Sequence, residues 1–246
     1  TQATLSAGSA TPNQVLSTDG TNLLWKNPSG GVGGAGTAGQ VAFWASPTAL
    51  SGSSNLFWDS AHGWLGLGTS APGQQLDLTG NLRLPLTTAS VGRVIVGTYP
   101  FMHSYGTNNT FLGISSGNFT LTGGRNTGIG ELALASVTSG EANTATGKDA
   151  LASTTDGAGN SGFGAAALSD NAAGTFNSAV GYAAMRFNTT AGRNTAVGVG
   201  ALWAQDFANG GAAWDANNTA VGYEALNNNK PTATNNGVEN TAVGSE

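Results

Sequence analysis

From Asn109 onward one phrase returns along the chain: Asn, then Thr or Ser, a variable residue, an apolar residue, Gly, two variable residues, and usually Ala-Leu. Copies begin at Asn109, Asn126, Asn143, Asn160, Asn177, Asn194, Asn218 and Asn240, with five intervals of 17 residues followed by 24 and 22. A fixed period constrains the fold more than any single motif, because each copy must occupy the same structural setting. Seventeen residues is too short for helical repeats of about 33–47 residues and too short for a propeller blade. It fits one coil of a β-solenoid or β-roll.

The phrase itself suggests how such a coil would be built. Ile129, Val180, Val197, Val221 and Val243 at the fourth position, with Leu at the ninth, are expected to point inward and fill the coil. Gly at the fifth position (Gly130, Gly147, Gly164, Gly181, Gly198 and Gly222) permits a bend that a Cβ would resist. Asn at the first position (Asn126, Asn143, Asn160, Asn177, Asn194 and Asn218) can cap a turn and tolerates left-handed backbone. In-register stacking would place these Asn side chains over one another as a hydrogen-bonded ladder. Copy 109 departs from the phrase and reads as the first, capping coil. At about 4.8 Å per layer, eight coils make a stack of roughly 35–40 Å. So thin a coil has a small core for its surface, so the stack needs partners.

Composition agrees. Charged residues are 9% of the chain, against about 25% in an average soluble domain, while Gly supplies 39 of 246 residues. Such a chain favours turns and stacked strands over helices. Six Trp and nine Phe argue against disorder. The net charge of −5 and the lack of any Lys/Arg run exclude a nucleic-acid partner. The apolar stretches are far shorter than the ~20 residues of a bilayer-spanning helix, so no membrane insertion is expected. Without cysteine there is no disulfide framework or thiolate site. There is no signal peptide and Thr1 is not an initiator Met, so an excerpt of a longer protein is expected.

The repeats resemble those of phage tail fibres and of the heads of trimeric bacterial surface adhesins. The stretch Phe101-Met102-His103-Ser104-Tyr105-Gly106-Thr107-Asn108-Asn109-Thr110-Phe111-Leu112-Gly113 looks like the junction into such repeats. Gln14–Trp25, Leu65–Pro72 and Leu76–Leu84 resemble other segments of the same fibres. The resemblance covers nearly the whole chain. It implies an all-β fold, a trimeric β-solenoid or β-roll preceded by a small intertwined β-module. It also implies two identical partner chains, attachment to a cell-surface glycan or other receptor, and a virion tail fibre or bacterial cell surface as the location. A removable C-terminal chaperone of the endosialidase type is implied for the full-length gene.

Three regions follow. Residues 1–36 are a Gly/Ser-rich lead and linker, 37–108 a short-strand module with the junction, and 109–246 the repeats, with insertions near 203–217 and 227–239. Gly30–Gly36 spells G-x-G-x-x-G, but Asn-Pro-Ser before it and strand-like sequence after it do not suit a dinucleotide site, so no cofactor is expected. Within 37–108 the clearest strands are 40–44, 55–59 and 64–68. Trp44, Trp58 and Trp64 are expected to seal the core of that module.

Catalysis is not expected. Gly113-Ile114-Ser115-Ser116-Gly117 matches G-x-S-x-G, yet His62 and His103 both lie upstream of it, and Gly113 is already explained as a fifth-position Gly. Two histidines with no cysteine make a metal site poor. The insertion after copy 194 carries Trp203, Gln205, Asp206, Phe207, Asn209, Trp214 and Asp215. Aromatic faces stack on sugar C–H faces while carboxylates and amides hold hydroxyls, so these are candidate glycan-binding residues. The competing reading packs Trp203 and Trp214 against a neighbouring chain. The second insertion, Asn227–Gly237, is polar and reads as a solvated loop, and Tyr182 and Tyr223 at the variable sixth position read as exposed. The leading expectation is a fibre segment for attachment to host or prey cells. The rivals are a tailspike-like polysaccharide-degrading enzyme, which the scattered carboxylates disfavour, and an ice- or surface-binding solenoid with Thr at the second position.

Overall fold

A computed structural model describes residues 15–18, 23–26, 34–35, 38–46, 49–205, 207 and 209–246. The fold is all-β, with no helix among the described residues. Two compact units divide the chain at Arg83/Leu84.

The first unit contains β1 (Val15–Thr18), β2 (Leu23–Lys26), β3 (Gly34–Ala35), β4 (Gln40–Ser46), β5 (Ala49–Asp59), β6 (Trp64–Leu67) and β7 (Leu76–Leu78). β1 and β2 form an antiparallel pair. β5 is the centre of the second sheet: β4 and β6 flank it antiparallel, while β3 joins it and β7 joins β6 in parallel. The expectation that Trp58 seals this core is not met within one chain, where it is 47% exposed. Trp64 is half-buried and stacks on His62 at 4.6 Å. The side chain of Trp44 lies outside the described residues.

The second unit opens with β8 (Val94–Val96) and β9 (Tyr99–His103), then β10 (Thr110–Leu112), β11 (Thr127–Ile129), β12 (Thr144–Thr146), β13 (Ser161–Phe163) and β14 (Ser178–Val180). It continues through β15 (Ala191–Gly192), β16 (Thr195–Val197), β17 (Trp214–Asp215), β18 (Thr219–Val221) and β19 (Thr241–Val243). One ten-stranded sheet runs β19-β18-β16-β14-β13-β12-β11-β10-β9-β8. From β10 onward all pairings along it are parallel and join equivalent repeat positions, as in Thr127↔Thr144 and Thr144↔Ser161. The insertions do not disturb this register, since Thr195 still pairs with Thr219 and Thr219 with Thr241.

The strand faces correct one expectation. The third-position residues Ala145, Ala179, Ala196 and Ala220 are fully buried, and the fourth-position aliphatics are not. Ile129 is 39%, Val180 44% and Val197 40% exposed. A strand alternates faces with a period of two, so burying the third position turns the second and fourth outward. The interior is filled from the turn that follows: Leu134, Leu151, Leu168, Met185 and Leu202 at the ninth position have no exposure. Small third-position residues leave these side chains their space. In the first coil the roles invert, because Phe111 is buried at the third position and the ninth is Gly117, whose Cβ would lie 2.6 Å from the Phe111 ring.

Two backbone features lock coil to coil. Gly164 has φ +133°, and a Cβ there would meet the Gly181 carbonyl oxygen of the next coil at 2.5 Å. The ninth-position residues adopt left-handed backbone, with φ between 50° and 56° from Leu134 to Leu226. The penalty for that region is greatest for β-branched residues, and none stands there. Leu151 N–H donates to Ala167 O at 3.0 Å and Leu168 N–H to Ala184 O at 3.0 Å, so the turns as well as the strands bond to the coil above. The repeat Asn is not itself left-handed, contrary to expectation; the residue before it is, as at Arg125 (φ 61°) and Phe176 (φ 57°).

Candidate functional site

The asparagine ladder forms. Asn143, Asn160 and Asn177 are fully buried, and each side-chain oxygen accepts from the backbone N–H and the Nδ2 of the Asn one coil on, at 3.0 and 3.1 Å for Asn160→Asn143. The remaining Nδ2 hydrogen goes to a turn carbonyl, Gly174 O at 2.8 Å for Asn160. A second polar column, which the repeat phrase did not reveal, runs inside at the twelfth position. Asn188 Nδ2 donates to Asn171 Oδ1 at 2.9 Å, and Gln205 follows 17 residues on. Gln205 is 1% exposed and neither of its polar atoms has a partner among the described residues.

The insertion residues therefore divide. Gln205 faces the interior, and Asp206 lies outside the described residues. Phe207 and Trp214 meet edge to face at 6.0 Å, with the Trp214 indole nitrogen enclosed and unpartnered among the described residues. Asn209 accepts from Thr190 Oγ1 at 3.3 Å. β17, from the insertion, pairs in parallel with β15 of the preceding coil as an extra two-stranded sheet. Asp215 in β17 reaches Arg193 Nε at 2.9 Å. That pair is half-exposed and contributes about 0–1 kcal/mol.

Trp203 stands apart from the Phe207–Trp214 pair. Its ring meets Phe187 edge to face at 4.6 Å, and it walls a groove of about 250 Å³ together with Tyr182, Val199, Gly200, Glu224 and Asn227. The sixth-position residues Glu131, Lys148, Ala165, Tyr182, Val199 and Tyr223 are all exposed in the single chain. Among them Lys148 bonds Glu131 at 3.0 Å, which raises its ammonium above the usual range. The Glu224 carboxylate raises the Tyr223 phenol likewise. The second insertion closes on itself: Asn236 Oδ1 accepts from Thr232 N–H at 2.8 Å, and both Asn229 and Asn218 donate to Gly237 O.

The G-x-S-x-G segment sits beside His103, both of whose ring nitrogens are engaged by backbone groups. His103 Nε2 donates to the backbone carbonyl of Ser116 at 2.8 Å, and Nδ1 accepts from Tyr105 N–H at 3.4 Å. The ring is buried against Phe111 and Phe119, at 4.9 and 4.5 Å, and burial lowers its pKa. The Ser116 hydroxyl hydrogen is shared between Gly128 O and Ala133 O, tying the first coil to the second. In the first unit His62 Nδ1 bonds Asp59 at 2.7 Å. No group of three or more His, Asp or Glu able to hold a metal occurs among the described residues.

Comparison with protein-family models, curated proteins and solved structures found no match to this chain.

Proposed function

We propose that this chain is one strand of a homotrimeric β-solenoid fibre that attaches to a cell surface, on a virion tail or on a bacterium, and that it works without catalysis. The observation that carries this reading is the outward fourth position. Ile129, Phe163, Val180, Val197 and Val243 are each between 39% and 76% exposed on one sheet face, with Thr146 interrupting the row between Ile129 and Phe163 and Val221 half-buried between Val197 and Val243. Phe163, Val180 and Val197 are exposed neighbours on adjoining strands, and exposed apolar patches mark association surfaces; full burial of one such side chain is worth about 1.5–3 kcal/mol. Two identical chains in parallel would cover the stripe with the same stripe. The resemblance of the segment order to fibre proteins supports the number three. Receptor contact then falls to side chains away from this face, repeated three times over.

The chain has no cysteine, which makes the test direct. Val197→Cys treated with a short bifunctional maleimide should give a covalent dimer in high yield. A product that remains one chain at micromolar protein would overturn the proposed packing.

One observation favours a second reading, an ice- or surface-binding solenoid. Thr127, Thr144, Thr195, Thr219 and Thr241 lie on the same sheet face as the fourth position, in a row interrupted by Ser161 and Ser178. The two readings compete for one face, and thermal hysteresis by the protein at millimolar concentration would support the second.

A further inference from the structure

We infer that the groove between Tyr182, Trp203 and Glu224 is a binding site for a neutral saccharide, placing receptor contact on the repeat wall and not in the insertion loop. The inference rests on the attachment reading above and gives it a ligand class.

Three successive coils build the groove. The coil from Asn177 contributes Tyr182, the coil from Asn194 contributes Val199, Gly200 and Trp203, and the coil from Asn218 contributes Glu224 and Asn227. The seventh position is Ser115, Leu132, Asp149, Ala166, Ala183, Glu224 or Glu246 in other coils and Gly only at Gly200. A Cβ at Gly200 would come within 3.1 Å of Glu224 Cγ, so the missing side chain is what lets the Glu224 stem lie across this coil. The wall opposite is buttressed by a second ring: Trp203 stands at 89° to Phe187, while its backbone N–H donates to Gly200 O at 3.2 Å. The backbone N–H of Asn227 donates to the Glu224 carbonyl at 3.0 Å, and the Asn227 carbonyl accepts from Ala204 N–H at 2.9 Å, which fixes the main chain of both residues at the groove.

The chemistry of this lining selects the ligand. Tyr182, 58% exposed, and Trp203 offer aromatic surface on which the C–H face of a sugar ring can rest. The Glu224 carboxylate accepts from hydroxyls, and the Asn227 amide can both donate and accept. At about 250 Å³ the groove lies below the roughly 300–1,000 Å³ of drug-sized ligand pockets and suits one or two sugar rings. The lining holds a carboxylate and no Lys or Arg, so an acidic sugar would meet uncompensated negative charge.

Saturation-transfer NMR and titration calorimetry on the 246-residue chain would test the site, using neutral hexose and N-acetylhexosamine oligosaccharides beside their sialylated counterparts. The wild type should bind a neutral member and bind its sialylated form more weakly. Trp203→Ala and Tyr182→Ala should each weaken binding by about tenfold, the equivalent of one well-placed aromatic contact. Glu224→Gln, which keeps the shape, should narrow the gap between neutral and sialylated ligands. Phe176→Ala, at an exposed ring outside the groove, should change nothing. Absence of neutral-sugar binding by the wild type would overturn the inference, as would unchanged binding by both aromatic variants. The mass of the same samples in solution reports separately on the fibre: a trimer without sugar binding removes only the groove, and a monomer that binds sugar removes only the fibre.

Discussion

The side-chain oxygen of Asn143 accepts two hydrogen bonds from Asn160, one from its backbone N–H at 3.0 Å and one from its Nδ2 at 3.1 Å. Both residues are fully buried. The same bonds recur from Asn160 to Asn177 and from Asn177 to Asn194, so the ladder carries register from coil to coil.

Asn160→Ala removes a rung and leaves the Asn177 backbone N–H buried without its acceptor, while Gly174 O keeps only the bond from Asn171 Nδ2. The orphaned N–H should cost about 1–3 kcal/mol. Urea unfolding should show a lowered midpoint. Asn160→Asp should cost more, since it keeps the acceptor for Asn177 but buries a charge that faces Gly174 O and Asn143 Oδ1 with no donor.

Gly164→Ala puts a Cβ 2.5 Å from Gly181 O, at a φ of +133° that L residues rarely adopt. The backbone strain alone is about 1–3 kcal/mol, and relieving the contact must spread two coils. The thermal midpoint should fall further than for Leu168→Ala, which costs about 2–5 kcal/mol through an empty cavity. Equal or smaller loss would mean the coils are less tightly apposed than described.

His103 gives the fold a pH dependence. Burial holds its pKa below the ordinary 6.5, and its neutral ring donates to Ser116 O. The folded state therefore binds this proton less readily than the unfolded chain, so its contribution is complete above about pH 6.5 and is lost as pH falls through the lowered folded value. Arg93, whose guanidinium lies 5.2 Å from the Phe119 ring, adds like-charge opposition to protonation. Urea midpoints should drop between about pH 7.5 and about pH 5, and His103→Phe should flatten that drop. An equal drop in the variant would assign the effect to the carboxylates.

Val180→Asp and Val197→Asp place charges on the outward apolar stripe without touching the buried third and ninth positions. Each coil should keep its circular-dichroism signature while association weakens, read as a shift of the mass towards one chain at low micromolar protein. Unfolding in place of dissociation would mean the stripe is internal to the stability of a single chain.

The repeat register, the close-packed fifth-position Gly and the asparagine ladder were all legible, because identity at a fixed spacing forces identical residues into contact along the stack. The inward direction assigned to the fourth position was not right. A three-residue strand is too short to display its own phase, and hydrophobicity at Val180 or Val197 does not say which side will cover it. The better signal was size: the third position is Gly or Ala in every copy after Phe111. The left-handed Leu residues could not be read, since Leu has no preference for that region and only bonding to the next coil imposes it. The inner column could have been found, because Asn171, Asn188 and Gln205 are spaced by 17 like the repeat itself. Among the insertion residues, composition grouped what the backbone separates: Trp203 belongs to the groove with Glu224, while Phe207 and Trp214 pair elsewhere.

Light scattering coupled to size exclusion tests the central claim most directly. A mass of three times the chain's 24.4 kDa, persisting on dilution to low micromolar protein, is the predicted result. A stable 24.4 kDa species with native circular dichroism would contradict it.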